Sequence, residues 1–254
     1  MKKLIDQSDI RAFAENGFLV VKRLFLEDRL GDILRHAKDA LEQCAEPVEF
    51  ETDVQYPGAP KSIDATGGRT IRRLLGAYQR NDSFREVGLS PQFKSILEML
   101  FASNTLALSQ CHHNCVMTKH PDFSSSTDWH QDNRYWQFEQ ENLITAWTAL
   151  GHEHEENGCL RVIPGSHRLD IADSQLDEKL FLRTDIPENR QLIENNQLVE
   201  LNKGDVLFFH SRLFHAAGRN LTDQVKYSLV FTYHETSNRP IANSKSARLA
   251  SIAL

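Results

Sequence analysis

From Leu106 onward the sequence breaks into short β-prone runs, and this recurrence constrains the fold more than any other feature. The runs cover 106–117, 143–150, 160–163, 197–201, 206–210 and 227–234. Turn signals separate them, as in Pro164-Gly165 and Lys203-Gly204-Asp205. Several short strands at such spacing predict a sandwich or barrel. The residues before them read differently. A helix is expected over 8–16, with Ser8 as its cap and Gly17 at its stop. Phe18-Leu19-Val20-Val21 reads as a buried strand. Leu30, Ile33, Leu34, Ala37 and Leu41 recur at helical spacing within 26–45, and Phe93, Ile96, Leu97 and Leu100 do so within 91–101. Between them, 56–68 carries Pro57, Gly58, Pro60, Gly67 and Gly68 and reads as a loop. With no internal repeat or linker, the expectation is one domain over 1–254. A helical part at about 1–104 would pack on a β core at about 105–235.

Composition narrows the class. An apolar share of 40% with 25% charged residues supports a sizeable core and excludes wholesale disorder. Only 12 Gly and 4 Cys exclude collagen-like and disulfide-framework chains. The formal charge of −6, without a long basic run, argues against nucleic acid as a partner. No stretch approaches the roughly 18 apolar residues of a membrane span. Met1-Lys2-Lys3-Leu4-Ile5-Asp6 turns polar at once and lacks the apolar core of a signal peptide. The expectation is therefore a cytoplasmic chain, its cysteines reduced, with a small molecule as substrate.

Several residue patterns exclude chemistries. Cys111-His112-His113-Asn114-Cys115 has no second cysteine pair to complete a zinc ribbon. Strand alternation places Cys111, His113 and Cys115 on one face and His112 and Asn114 on the other. Gly165-Ser166-His167 lacks the glycine spacing of a nucleophile elbow, and no Rossmann or P-loop glycine pattern occurs. His152 and His154, among Glu153, Glu155 and Glu156, read as a solvated loop.

The densest chemistry lies in Trp129-His130-Gln131-Asp132-Asn133-Arg134-Tyr135-Trp136. In an extended strand, residues two apart share a side, so His130 and Asp132 can meet one ion. A third ligand has to come from elsewhere, and His210 and His215 follow the apolar run 206–209. Two histidines and one carboxylate are the donor set of non-haem Fe(II) oxygenases, with positions left for a bidentate cosubstrate and O2. The same set also suits Zn(II) with a bound water, hence hydrolysis, or a metal-binding barrel without catalysis.

The order of these motifs resembles the phytanoyl-CoA dioxygenase family of Fe(II)/2-oxoglutarate oxygenases. The resembling stretches are Trp129-His130-Gln131-Asp132 with Tyr135-Trp136, Ala146-Trp147-Thr148-Ala149-Leu150, Glu156-Asn157-Gly158-Cys159-Leu160 through His167, and Gly204-Asp205 through His215 and Asn220. Together they cover roughly 105–235. The resemblance implies a double-stranded β-helix (a cupin-like jelly roll), mainly β with supporting helices. It implies Fe(II), with 2-oxoglutarate as cosubstrate and O2, and succinate and CO2 as products. Residue by residue, it implies His130, Asp132 and His215 as iron ligands, with His210 a packed neighbour. Trp147 matches a tryptophan lining the 2-oxoglutarate pocket. Arg73 falls near a basic residue that contacts the cosubstrate in some relatives.

One departure stands out. The family usually places an arginine eleven residues after the distal histidine to clamp the far carboxylate of 2-oxoglutarate; here that residue is Lys226. Arginine offers a planar fork, lysine a compact point charge. Ala217 stands where a small hydroxyl residue is common. Arg212 and Arg219 are alternative cations. Asp132 fills the position that related halogenases leave open for halide, so the resemblance favours hydroxylation, or another oxidation, over halogenation. Tyr56–Arg69 and Ile171–Arg190 are candidate lids. Arg72, Arg134 and Arg161 are candidates to meet an anionic substrate.

Overall fold

Residues 226–235 show most simply how the sequence builds this molecule. Leu229, Phe231 and Tyr233 enter one apolar cluster, whereas Val230 enters a second one on the opposite face. Period-two alternation therefore gives the strand two buried faces, and a strand buried on both faces belongs in the middle of a sheet.

The computed structural model describes residues 4–254; Met1, Lys2 and Lys3, part of the N-terminal stretch considered above, lie outside the described residues. Twelve strands are present among the described residues: β1 (Phe18–Val21), β2 (Val48–Phe50), β3 (Ile71–Leu75), β4 (Leu106–Lys119), β5 (Thr127–His130), β6 (Leu143–Ala149), β7 (Leu160–Val162), β8 (Gln197–Val199), β9 (Val206–His210), β10 (His215–Ala217), β11 (Lys226–Glu235) and β12 (Ile252–Ala253). The larger sheet runs β1-β9-β6-β11-β4-β3-β2, with β12 also pairing β4, and the smaller runs β5-β10-β7-β8. All these pairings are antiparallel. The two sheets form a jelly-roll core, as expected for the double-stranded β-helix.

Helices Gln7–Asn16, Glu27–Glu42, Asp82–Gly88 and Pro91–Phe101 cover the outer face of the larger sheet. Phe13, Leu30, Ile33, Phe84, Phe93 and Ile96 join Leu108, Val116, Phe208, Phe231 and Tyr233 in one buried cluster. Phe93 meets Phe208 edge-on at 5.5 Å and Tyr233 at 6.0 Å. Burying each such side chain contributes roughly 1.5–3 kcal/mol, so this cluster locks the helices to the sheet. A second cluster lies between the sheets, with Cys115, Trp147, Leu160, Val162, Leu207, Phe209 and Val230. The candidate site opens beside it.

Local expectations needed three corrections. Asp6, not Ser8, caps the first helix: its carboxylate accepts from the Ser8 and Asp9 amides in a capping box. The part at 1–104 is not only helical, because β2 and β3 extend the larger sheet from it. Arg72 and Arg73 lie within β3, and both are buried because Glu49 on neighbouring β2 pairs with them. Third, β4 does not alternate without a break. Ser109 and Asn114 pair with the consecutive residues Thr232 and Phe231, so 110–113 bulge from the ladder. His112 adopts φ 60°, and its ring turns to the same side as that of His113.

All four cysteines are unpaired. No helix of the described residues is long and apolar enough to cross a membrane.

Candidate metal centre

His130 closes β5, and His215 opens β10 directly across from it in the ladder. Asp132 begins a 3-10 turn, Asp132–Tyr135, and Gln131 before it stays extended at φ −105°, ψ 141°. That backbone keeps Asp132 on the side of His130. One ligand atom from each of His130, Asp132 and His215 lies within 4.8 Å of the others, and all three residues are buried. His130 Nε2 stands 3.7 Å and His215 Nε2 3.5 Å from Asp132 Oδ1.

Local hydrogen bonds orient both rings. His130 Nδ1 lies 2.8 Å from the Asp128 carbonyl, and His215 Nδ1 lies 3.0 Å from the Leu213 carbonyl. A carbonyl accepts only, so each Nδ1 carries the proton and each Nε2 offers a lone pair inward. Burial, then the neighbouring His215, pushes the His130 pKa well below the usual imidazole range. Both carboxylate oxygens of Asp132 are buried without a hydrogen-bond partner among the described residues. An ionised carboxylate in that position is costly unless a cation meets it. Two imidazole lone pairs and an orphaned carboxylate fit a divalent metal ion with nitrogen and oxygen preference.

The three residues line a cavity of ≈ 270 Å³. Lys226, Trp147, Ala217 and Arg73 line it too. Lys226 is buried, and its ammonium donates to Glu153 Oε2 at 3.2 Å and lies 5.2 Å from the Trp147 ring centroid. The Trp147 indole donates to both Glu153 oxygens at 3.1 Å, and the Ser228 hydroxyl donates to Oε1 at 2.7 Å. Glu153 is therefore fully buried, contrary to its expected place in a solvated loop. A bridge between Glu153 and Leu201 turns it inward. On another wall, Glu49 takes Nε and one terminal nitrogen of Arg73, and His112 takes the other at 3.1 Å.

The remaining candidates separate. Arg72 lines the cavity, bonded to Thr127 Oγ1 at 3.2 Å. Arg161 pairs with Glu155 and Asn196, Arg212 with Glu141 and Asp170, and Arg219 with the Ser124 and Asp122 carbonyls; none of these lines the cavity. Arg134 lies over Phe181 at 4.1 Å. His210 stands apart from the three ligand candidates, its Nδ1 accepting from the Arg212 amide at 3.0 Å. The candidate lids meet above His130. Tyr56 packs edge-on against Phe181 at 5.5 Å, Phe181 lies 5.7 Å from the His130 ring, and the Tyr56 and Tyr135 hydroxyls are 2.9 Å apart.

Residues not singled out from sequence also reach the site. His113 Nδ1 stands 3.4 Å from Asp132 Oδ2, and His112 stacks on Tyr135 at 3.8 Å. Lys119 lines the cavity at the end of β4. Period-two counting from His113 through Cys115 and Met117 reaches Lys119, the one signal that would have found it.

Residues 13–228 match the family model described as phytanoyl-CoA dioxygenase (PhyH). The chain belongs to this family. It is similar to the peroxisomal phytanoyl-CoA dioxygenase of Rattus norvegicus, 29% identical over 235 residues that cover 87% of this chain and 66% of that one. The Homo sapiens protein of the same name is 30% identical over 223 residues, covering 83% and 62%. The chain thus spans just under two thirds of the length of these curated relatives. Among solved structures, the epimerase SnoN in complex with Fe3+, alpha ketoglutarate and nogalamycin RO superposes with a TM-score of 0.75 at 22% identity, covering 97% of this chain and 93% of that one. EctD from S. alaskensis with 2-oxoglutarate and 5-hydroxyectoine superposes with a TM-score of 0.77 at 18% identity, covering 94% and 79%. At these identities the superpositions establish the shared fold, and family membership rests on the sequence match.

Proposed function

We propose that this chain is an Fe(II)- and 2-oxoglutarate-dependent dioxygenase, one domain over 1–254, that hydroxylates a small-molecule metabolite. The observation that carries the reading is Asp132, a buried carboxylate without a hydrogen-bond partner among the described residues, set between two imidazoles whose Nδ1 atoms are anchored on carbonyls. His130, Asp132 and His215 would hold the iron. When bound, iron and 2-oxoglutarate supply the oxidation by O2, with succinate and CO2 released. The chain's part is binding, orientation and exclusion of water.

Lys226 receives the far carboxylate of 2-oxoglutarate, and Trp147 forms the adjacent apolar wall. Arg73 has its three guanidinium nitrogens engaged by Glu49 and His112, so its part is to fix the neighbouring wall. Tyr56, Tyr135 and Phe181 cover His130 and limit the access of water. Asp132 supplies a carboxylate where halide binding needs a vacant position, which favours hydroxylation over halogenation. The four unpaired thiols suit a reducing compartment such as the cytoplasm.

The test is a succinate-release screen across a metabolite panel with Fe(II). The reading predicts succinate formation by the native chain and none by His130→Ala or Asp132→Ala. Zinc retained on purification, with no 2-oxoglutarate turnover under any condition, would overturn it in favour of a zinc hydrolase or a binding protein of the same fold.

A further inference from the structure

Lys119 and Lys226 are direct partners across the β4–β11 ladder, the last residue of one strand facing the first of the other. Both line the cavity of the candidate metal centre. Like charges directly opposite one another on a sheet destabilise it, and removal from water raises that cost. The arrangement therefore needs negative charge between or beside the two ammonium groups.

The protein supplies only part of it. Lys226 has the Glu153 carboxylate at 3.2 Å. Arg72 and Arg73 have Glu49, and Arg72 also lies 3.9 Å from Glu51. Lys119 has no carboxylate within ion-pair distance among the described residues; its ammonium donates to the neutral Ser125 carbonyl at 2.8 Å. Setting Asp132 aside for the metal, the cavity wall carries four cations, Lys119, Lys226, Arg72 and Arg73, and two carboxylates, Glu49 and Glu51, while Glu153 stands behind Lys226 outside the lining. Of the four cations, Lys119 is the one without a carboxylate within ion-pair distance among the described residues.

We propose that Lys119 is a second carboxylate-binding cation, which together with Lys226 clamps the end of 2-oxoglutarate remote from the metal. This rests on the dioxygenase reading above. It explains how the chain replaces the planar fork of an arginine. Two point charges on adjacent strands address the two oxygens of one carboxylate, and Glu153 holds one of them in place. Ser228, two residues along β11 from Lys226, has its hydroxyl already donated to Glu153, so the second contact has to come from β4. The Lys119 ammonium is under strain without an anion. Burial first, then the Lys226 charge, pushes its pKa down from the usual lysine range to about 7.

The test is calorimetric titration of the anaerobic Fe(II)-loaded protein with 2-oxoglutarate and with 2-oxopentanoate, which lacks the far carboxylate. The native chain should bind 2-oxoglutarate much more tightly than 2-oxopentanoate. Lys119→Met should weaken 2-oxoglutarate binding by about 10- to 100-fold, leave 2-oxopentanoate binding within twofold, and keep full iron stoichiometry. Lys119→Arg should restore most of the loss. Unchanged 2-oxoglutarate affinity in Lys119→Met, or equal weakening of both ligands, overturns the clamp while leaving the dioxygenase reading intact. A native chain that binds neither ligand, or binds both equally, overturns the clamp and the cosubstrate reading together.

Discussion

The Glu153 carboxylate lies 3.2 Å from the Lys226 ammonium, and neither side chain is more than 4% exposed. Two more donors, the Trp147 indole and the Ser228 hydroxyl, complete the carboxylate's hydrogen bonding. A buried ion pair of this kind gains little over an apolar replacement of both partners, but removing one partner leaves the other charge stranded. Glu153→Leu is expected to destabilise the fold by about 3–5 kcal/mol. Glu153→Gln should cost less, because its amide oxygen still accepts from Ser228 and Trp147. Urea denaturation of the three proteins checks this; a Glu153→Leu loss below about 1 kcal/mol would contradict it.

His210 is expected to make the protein acid-sensitive. Burial, followed by the charges of His167 and Arg212, pushes its pKa from the usual 6.5 down to about 4. Between those values the unfolded chain binds a proton that the native chain does not, so stability falls as pH drops through that window. Burial likewise lowers His113 to about 4, with the same sign. His210→Gln should flatten the loss of stability between pH 6.5 and 4 by about 1–3 kcal/mol without abolishing it. Denaturation curves at pH 7 and 4.5 give the comparison, and parallel losses in the two proteins would contradict it.

The bulge in β4 makes a backbone prediction. His112 sits at φ 60°, a region that β-branched residues avoid and asparagine tolerates. His112→Val should therefore lose about 1–2 kcal/mol more than His112→Asn, since both lose the stacking on Tyr135. Thermal melts of the two variants measure the difference; equal melting temperatures would argue against a backbone effect.

Much of the site was legible because it is written in local spacing. His130 and Asp132 are two apart on extended backbone, and the structure keeps that backbone extended through Gln131. Choosing His215 over His210 needed the family resemblance. The Ser211–Phe214 turn, closed by the Leu213 amide on the His210 carbonyl, is what carries His215 back to the second sheet. Glu153 and Lys119 were hidden for a different reason. Glu153 lies among five polar residues that read as a surface loop, and a single bridge to Leu201 turns it inward. Period-two counting along β4 puts Lys119 on the face of His113, but its place opposite Lys226 follows only from the register. A register between strands more than a hundred residues apart is a tertiary fact that no local pattern encodes. Strict alternation puts His112 on the wrong face because it cannot anticipate a four-residue bulge.

On the proposed function, His130, Asp132 and His215 hold an iron ion to which 2-oxoglutarate binds. Anaerobic titration of the metal-free protein with Fe(II) and then 2-oxoglutarate tests it most directly. The expected result is a weak visible charge-transfer band that saturates at one cosubstrate per iron and is lost in His130→Ala. No band in the native chain at saturating Fe(II) and 2-oxoglutarate would contradict it.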